Sequence, residues 1–161
     1  MTAGPLVGAV VVASNRAAAG VYEDATGPLL VDFLAGLGFA TGPPAVVPDG
    51  EPVADAIRVA VGSGARVVLT TGGTGLTPTD RTPEVTRPLL DAEIPGVAEA
   101  IRAYGVHNGV PTAMLSRGLA GRVGSCLVVN LPGSRGGVQD AMAVLEPVLM
   151  HAAEQVVGSD H

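Results

Sequence analysis

The sequence contains no lysine and no tryptophan, and only 2% of its 161 residues are aromatic. Without lysine it has no P-loop lysine, no Schiff-base lysine and no anchor for pyridoxal phosphate, which excludes several large enzyme classes. A nucleic-acid-binding protein needs a basic surface or stacking rings, whereas this chain carries a formal net charge of −6. We therefore expect no nucleic-acid partner.

Cysteine and charge are also scarce. Cys126 is the only cysteine, which excludes an internal disulfide and predicts a buried core residue in a reducing compartment. The apolar run 6–13 is far shorter than the roughly 20 residues of a membrane span, and no basic residue precedes Arg16 to form a targeting segment. These features predict a cytoplasmic protein with no membrane partner. The charged fraction is 15%, against about 25% in typical domains, which predicts that another subunit covers part of the surface.

Short apolar runs alternate with helical stretches along the chain. Four runs rich in β-branched residues predict strands buried on both faces, over residues 6–13, 44–47, 66–71 and 125–131. Helices are predicted over residues 24–37 with Gly38 as C-cap, over 51–61, 82–91 and 95–104, and from Ser134 onward with a bend or break at Pro147. Residues 112–123 predict a short extra strand and turn.

This alternation predicts a three-layer α/β/α fold with a mainly parallel central sheet, because parallel strands need crossover connections that place helices over both faces. We expect one domain over residues 1–161, with a mobile C-terminal tail from about residue 156.

Ligands of such sheets bind at the carboxyl ends of the strands. At these ends the sequence places Ser14-Asn15-Arg16, Pro48-Asp49-Gly50, Gly72–Gly75 and Pro132-Gly133-Ser134. Each of these segments taken alone is also explained by ordinary turn chemistry, since loops favour Gly, Asp and Ser. Their convergence favours a ligand site.

The run Gly72-Gly73-Thr74-Gly75 predicts a phosphate-binding loop, because glycine leaves backbone N–H groups open to an anion. It fits neither the dinucleotide motif G-x-G-x-x-G nor the Walker A motif. Downstream, Thr82 is predicted to be a helix N-cap, Pro83 the first helical residue and Glu84 a favourable charge at the helix start.

A second anion site is predicted where Asn130-Leu131-Pro132-Gly133-Ser134 precedes the last helix, whose first N–H groups lack partners within the helix. The alternative is that Ser134 only caps that helix. Two such sites would suit a ligand with more than one phosphate-bearing end.

Asp49 and Asp80 each follow a buried strand, and carboxylate oxygens hold Mg²⁺ beside substrate phosphates. The alternatives are an Asx turn for Asp49 and a loop hydrogen bond for Asp80. Four loop arginines are candidate phosphate ligands: Arg16, Arg81, Arg117 and Arg135. The three histidines have no metal-ligand spacing, and no Ser-His-Asp order supports a hydrolase.

Together these motifs resemble those of the molybdenum-cofactor biosynthesis family, of the Mog type and the gephyrin G domain. The resemblance rests on G-G-T-G at 72–75, D-R-T-P-E at 80–84, Leu115-Ser116-Arg117 and the later N-L-P-G-S, and it covers about residues 5 to 155. It implies an adenylyltransferase that joins ATP, as co-substrate, to the phosphate of molybdopterin with release of pyrophosphate. It also implies a requirement for Mg²⁺ and a homotrimer.

By the same resemblance, Asp49 and Asp80 are the catalytic, metal-binding aspartates. Ligand contacts are implied for Gly72, Gly73, Thr74, Gly75, Ser116, Pro132, Gly133 and Ser134, and we expect them also from Ser14, Arg16, Thr82, Pro83, Glu84 and Asn130 of the same motifs. No molybdate-inserting domain is present, so that step is expected of a separate downstream protein.

Two positions depart from the family pattern: Asn15, where many members have Asp, and Arg135, where many have Pro. Asn15 also occurs in relatives described as lacking the activity. A catalytically silent molybdopterin carrier or interaction module is therefore the alternative, and a different nucleotide-dependent transferase is a third hypothesis.

Overall fold

The structure is a computed structural model that describes residues 4–158. Seven strands form one sheet, and they are β1 (Val7–Ala13), β2 (Ala40–Thr41), β3 (Ala45–Val47), β4 (Ala65–Thr71), β5 (Ala92–Glu93), β6 (Ala120–Val123) and β7 (Cys126–Leu131). Their order is β2-β1-β4-β7-β6-β5, and β3 also pairs with β1. All pairings of β1 and the β4–β7 pairing are parallel, whereas β6 is antiparallel to β5 and β7. The predicted α/β fold with a mainly parallel sheet is confirmed.

The described residues form seven α-helices, of which the last two follow β7: α1 (Asn15–Ala18), α2 (Thr26–Gly36), α3 (Glu51–Gly62), α4 (Thr82–Thr86), α5 (Pro95–His107), α6 (Arg135–Leu145) and α7 (Leu149–Val156). Two 3₁₀ segments, Arg87–Leu89 and Pro111–Leu115, follow α4 and α5. Among the residues that the structure describes, no helix is long and apolar enough to cross a lipid bilayer.

Hydrophobic clusters lie on both faces of the sheet. Val10 and Val12 of β1 face a cluster with residues of α2, α5, α6 and α7, while Val11 and Ala13 face a second cluster with residues of α3 and α4. Successive residues of a strand point to opposite faces, so a strand covered on both sides must be apolar throughout. This explains why the buried strands lack an alternating pattern.

Most predicted elements are found within a few residues of their expected bounds. The predicted helix 82–91 is wrong in length: α4 ends at Thr86 and a 3₁₀ turn containing Pro88 follows, since proline has no N–H to continue the helix. The predicted C-cap at Gly38 is wrong by one residue: α2 ends at Gly36 and Leu37 is its C-cap. Gly38 is the next residue, and its φ of +103° suits glycine.

The break between the last two helices and the burial of the lone cysteine match the predictions. Helices α6 and α7 are separated around Pro147, as expected. The predicted tail begins at the last residue of α7, and residues 159–161 lie outside the described residues. Cys126 is buried and unpaired, and burial raises the pKa of its thiol to about 12.

Candidate functional site

The ends of β1, β3, β4 and β7 bring the predicted motifs to one side of the molecule. These strands are parallel, so their carboxyl ends point the same way. Ser14 follows β1, Asp49 follows β3, Gly72 follows β4 and Pro132 follows β7. The predicted convergence of the four segments is therefore present in the fold.

Gly72 and Gly133 allow three of these ends to pack against one another. Gly72 has a φ of +93°, and a Cβ there would lie less than 3.0 Å from the carbonyl oxygen of Ala13, a separation that real Cβ atoms do not show. A Cβ at Gly133 would lie 3.2 Å from the Cα of Gly72. Backbone is thus packed directly on backbone, which requires glycine at position 72 and leaves little room for a side chain at position 133.

Threonine side chains hold the glycine loop in place. The Thr82 hydroxyl donates to the carbonyl oxygen of Gly72 at 2.9 Å, and its backbone N–H donates to that of Gly73 at 3.0 Å. The Thr71 hydroxyl donates to the carbonyl oxygen of Pro132 at 2.7 Å. With these carbonyls occupied, the loop is fixed from its buried side.

The predicted helix N-cap at Thr82 is wrong. Helix α4 begins at Thr82, Arg81 is the residue before it, and no side chain caps the first turn. The Thr82 hydroxyl serves the glycine loop instead. Pro83 is accordingly the second helical residue and is buried.

Asp49 and Asp80 line one cavity of about 360 Å³, together with Ser14, Arg16 and Gly73. The two carboxylates therefore share a pocket. Burial and the negative charge of Asp80 raise the pKa of Asp49, while an interaction with the backbone N–H of Asn15 opposes that rise.

The two aspartates differ in how their oxygens are paired. Oδ1 of Asp49 is buried and has no hydrogen-bond partner among the described residues. The backbone N–H of Asp49 donates to Oδ1 of Asn15 at 2.9 Å. Oδ2 of Asp80 accepts from the backbone N–H and the hydroxyl of Thr77, at 3.0 and 2.8 Å. Asp80 therefore makes the loop hydrogen bonds of the alternative interpretation while it also faces the cavity.

The glycine loop also lines a larger cavity of about 740 Å³. Gly73 and Asp80 line both cavities, so the loop forms the wall between them. The predicted residues that also line the larger cavity are Thr74, Gly75, Ser116, Pro132, Gly133 and Ser134. Gly72 lines a third, smaller cavity of about 150 Å³ beside Ser14 and Thr26.

Ser134 serves as both a helix cap and part of the cavity wall. Its Oγ accepts from the backbone N–H of Gly137 at 3.1 Å, which caps α6. The first turn of α6 contributes Gly136 and Gly137 to the lining of the larger cavity. The start of an eleven-residue helix therefore faces the space where an anion was predicted.

Seven predicted ligand residues do not line these cavities: Arg81, Thr82, Pro83, Glu84, Arg117, Asn130 and Arg135. Asn130 is buried, and its Nδ2 donates to the hydroxyls of Thr70 and Thr86 at 2.9 and 3.3 Å. Glu84 forms an ion pair with Arg117 at 2.6 Å, which lowers the pKa of Glu84. The side chains of Asn130 and Glu84 therefore contact other protein groups and not the cavities.

The far end of the larger cavity was not predicted. Asn108, Gln139 and Asp140 line it, and Nδ2 of Asn108 donates to Oδ1 of Asp140 at 3.2 Å. Asp140 lies in α6 and follows the lining residues Gly136 and Gly137 by four and three positions. Residues at this spacing share a helix face. Asp140 could therefore have been predicted as a lining residue from the predicted start of this helix.

The donor set of the smaller acidic cavity fits a divalent cation. Asp49 supplies a buried oxygen without a partner, and Asp80 supplies a second carboxylate. Across residues 4–158, no group of three or more His, Cys, Asp and Glu could hold a metal ion by itself. Mg²⁺ in proteins is commonly bound by one or two carboxylates, with water and substrate phosphates completing its coordination.

Comparisons with known proteins identify relatives of this chain. A protein-family model described as "Probable molybdopterin binding domain" matches residues 9–151. A molybdenum cofactor biosynthesis bifunctional protein of Synechococcus elongatus is 38% identical over 154 residues, covering 94% of this chain and 48% of that protein. A molybdopterin adenylyltransferase of Pyrococcus furiosus is 34% identical over 146 residues, covering 88% of this chain and 86% of that protein.

A solved structure of a molybdopterin biosynthesis Mog protein from Mycobacterium ulcerans has 47% sequence identity and a TM-score of 0.89. The similarity covers 94% of this chain and 99% of that one. The chain spans about half the length of the bifunctional relatives that it matches.

Proposed function

The chain belongs to the molybdopterin-binding domain family, and from this membership and the site geometry we propose that it is a molybdopterin adenylyltransferase. It transfers AMP from ATP to molybdopterin and releases pyrophosphate. The observation that carries the proposal is the shared wall: the glycine loop separates a cavity with two carboxylates from a larger cavity of about 740 Å³.

The larger cavity is assigned to molybdopterin and the acidic cavity to the phosphates of ATP. A volume of about 740 Å³ lies within the roughly 300–1,000 Å³ of small-molecule sites. The glycine loop and the start of α6 border this space with backbone N–H groups suited to a phosphate. Gly73 and Asp80 lie where the two substrates meet.

The reaction forms one bond and breaks one. An oxygen of the molybdopterin phosphate attacks the α-phosphorus of ATP, a new P–O bond forms, and the P–O bond to the β-phosphate breaks, so that pyrophosphate leaves with its electron pair. The attacking phosphate is already ionised at neutral pH, so no general base is required. The residues of the site align the two anions, and Gly72–Gly75 hold them through the loop backbone.

Asp49 and Asp80 are assigned to Mg²⁺. The ion, when bound, neutralises phosphate charge that builds up in the transition state. Asn15 holds the backbone of Asp49 through its Oδ1, and Thr77 holds the carboxylate of Asp80.

Asp80→Asn tests the assignment. The variant is expected to fold and to release pyrophosphate at least about 10²-fold more slowly, because it removes a metal-binding charge at the reacting centre. Asp55→Asn is the matched control, since Asp55 is exposed on α3 and pairs with Arg58. Pyrophosphate release from ATP and molybdopterin is measured with circular dichroism as the check on folding. Full activity of Asp80→Asn would remove Asp80 from the mechanism.

A catalytically silent carrier is the second candidate, because Asn15 supplies a neutral amide beside the two aspartates. Titration calorimetry separates the two functions. A carrier binds molybdopterin but shows no Mg²⁺-dependent turnover of ATP, whereas the enzyme shows both.

We also propose that the chain, as one domain, assembles into a homotrimer in the cytoplasm and passes its product to a separate molybdate-inserting protein. An apolar patch on α5 and the 3₁₀ segment after it supports self-association. Its members are Tyr104, Val106 and Met114, each more than one-third exposed and none of them lining the larger cavity. Free, buried Cys126 is compatible with a reducing compartment.

A further inference from the structure

The guanidinium group of Arg117 connects both ends of the loop that leads from the glycines to Asp80. Its Nε donates to the carbonyl oxygen of Gly75 at 2.9 Å, and its Nη2 donates to the carbonyl oxygen of Asp80 at 2.8 Å. Its Nη1 donates to Oε2 of Glu84 at 2.6 Å. Each of its three nitrogens thus contacts a protein oxygen, and the pairing with Glu84 offsets its charge.

The loop between these two ends is exposed and contributes little to its own position. Residues 76–79 are exposed, and Leu76 is 65% exposed. Within the loop, the backbone N–H of Asp80 donates to the carbonyl oxygen of Thr77, and Thr77 donates to the Asp80 carboxylate. These bonds keep Asp80 and Thr77 together but do not fix either of them relative to the sheet.

Arg117 itself is held by the scaffold. Its backbone N–H donates to the carbonyl oxygen of Thr74 at 2.8 Å. Arg102 of α5 donates through Nη1 to the carbonyl oxygens of Ser116 and Gly118, at 3.2 and 2.8 Å. The neighbours of Arg117 on both sides are therefore tied to a long helix, and Arg117 extends this support to the exposed loop.

We propose that Arg117 is a positioning residue that sets the place of Asp80 relative to Asp49 and thereby the affinity of the acidic cavity for a divalent cation. The expected effect on catalysis rests on the proposed function, whereas the expected effect on cation binding does not. Asp49 lies on a different loop, after β3, where its backbone N–H donates to Asn15 of α1. The distance between the two carboxylates therefore depends on how the Asp80 loop is fixed.

The geometric demand of the ion makes this spacing important. Mg²⁺ binds oxygen at about 2.0–2.1 Å in a nearly ideal octahedron and tolerates little displacement of its ligands. Partners that orient metal ligands typically change metal affinity by about 10–100-fold when they are removed. The single ammonium group of lysine can replace only part of a planar fork that reaches two carbonyls and a carboxylate.

The test compares Arg117→Gln and Arg117→Lys with Arg58→Gln. Arg58 is an exposed arginine on α3 that pairs with Glu51 and Asp55, so its variant removes the same charge and equivalent ion pairing away from the site. Mn²⁺ is the probe, and its binding is followed by electron paramagnetic resonance in the presence of a non-hydrolysable ATP analogue. We expect Arg117→Gln to weaken Mn²⁺ binding by about tenfold or more and Arg117→Lys to recover part of the loss.

Activity provides the second readout. The Mg²⁺ concentration that gives half-maximal pyrophosphate release should rise in Arg117→Gln by a similar factor. The KM for molybdopterin should change by a smaller factor, because most of the lining of the larger cavity, including Pro132, Ser134 and the start of α6, lies outside the loop that Arg117 contacts. Arg58→Gln should resemble the wild type in both measurements.

Three outcomes would overturn the inference: wild-type protein that binds no Mn²⁺, an Arg117→Gln variant with unchanged Mn²⁺ and Mg²⁺ curves, or equal weakening in Arg58→Gln. A lower melting temperature with unchanged curves would assign Arg117 to stability alone. If the wild type binds Mn²⁺ in an Arg117-dependent way but does not adenylylate molybdopterin, the proposed enzymatic function fails and the positioning role stands. If Arg117→Gln does not fold, Arg117→Lys and Glu84→Gln carry the comparison, and normal Mn²⁺ binding by both contradicts the inference.

Discussion

Replacing Gly72 by alanine tests how closely the end of β4 packs against the end of β1. A Cβ at Gly72 would overlap the carbonyl oxygen of Ala13, which belongs to a strand in the middle of the sheet. The oxygen is main chain and cannot rotate away, so one of the two strand ends must move. Gly72 also has a φ of +93°, a conformation that alanine adopts at a cost.

The two penalties can be separated with Gly64→Ala. Gly64 has a φ of +96°, and nothing lies within 4 Å of a Cβ built there. This control therefore carries only the backbone penalty, about 1–2 kcal/mol of the free energy of unfolding. Overlap with packed atoms typically adds about 1–3 kcal/mol. We expect Gly72→Ala to lose about 2–5 kcal/mol in total.

Urea denaturation followed by circular dichroism measures the difference at one fixed protein concentration. With a slope of about 2 kcal/mol per molar urea, the extra 1–3 kcal/mol lowers the midpoint of Gly72→Ala by about 0.5–1.5 M below that of Gly64→Ala. The entropic effect of Gly→Ala on the unfolded chain is the same in both variants and cancels. Coincident midpoints would refute the close packing of β4 on β1.

Two further predictions concern the acidic pair and the assembly. Asp49→Asn is expected to raise the melting temperature at pH 7 by on the order of a few °C. The folded-state pKa of Asp49 is raised, so its stabilising contribution is complete only below its unfolded value and is lost as the pH rises through the folded value. The gain should therefore shrink as the pH falls towards 3.8, and calorimetry from pH 7 to 3 with no gain at pH 7 would contradict the reasoning. Sedimentation should give the mass of three chains and a smaller species for Met114→Arg; a monomeric wild type would contradict the assembly.

The sheet could be predicted from the sequence wherever burial dictates composition. Strand β4, buried nearly throughout, needs apolar residues on both faces and so shows a continuous run. Strands β2 and β5 have two residues each and are exposed or partly exposed, so they leave no pattern. Their existence depends on the register with β1 and β6, which only the folded chain defines.

The error at 82–91 had a visible cause. Pro88 lies inside the predicted helix, and its missing N–H marks the change to a 3₁₀ turn. A helix break predicted at Pro88, like the one predicted at Pro147, would have given a shorter helix, as the structure has it. The hydroxyl of Thr82, in contrast, bonds to Gly72, ten residues away, and no local rule distinguishes that bond from a helix cap.

The same limit applies to the site. Glycine and aspartate at strand ends follow from the chemistry of loops and could be located in the sequence. The roles of Asn15 and Arg117 depend on partners 34 and up to 42 residues away, so only tertiary placement reveals them. Arg117 was a candidate phosphate ligand because it is an arginine in a loop near the strand ends. In the structure its nitrogens donate to protein oxygens instead.

The distribution of positive charge shows why the site would need a cation. The chain has no lysine, and Arg58, Arg87, Arg117 and Arg122 form ion pairs with carboxylates. Arg16 is the arginine that lines the acidic cavity, where it faces two aspartates before any phosphate enters. Backbone N–H dipoles supply only partial charges. Binding of the nucleotide phosphates should therefore depend strongly on a divalent ion, whereas binding in the larger cavity, which is bordered by the glycine loop and the start of α6, should depend on it much less.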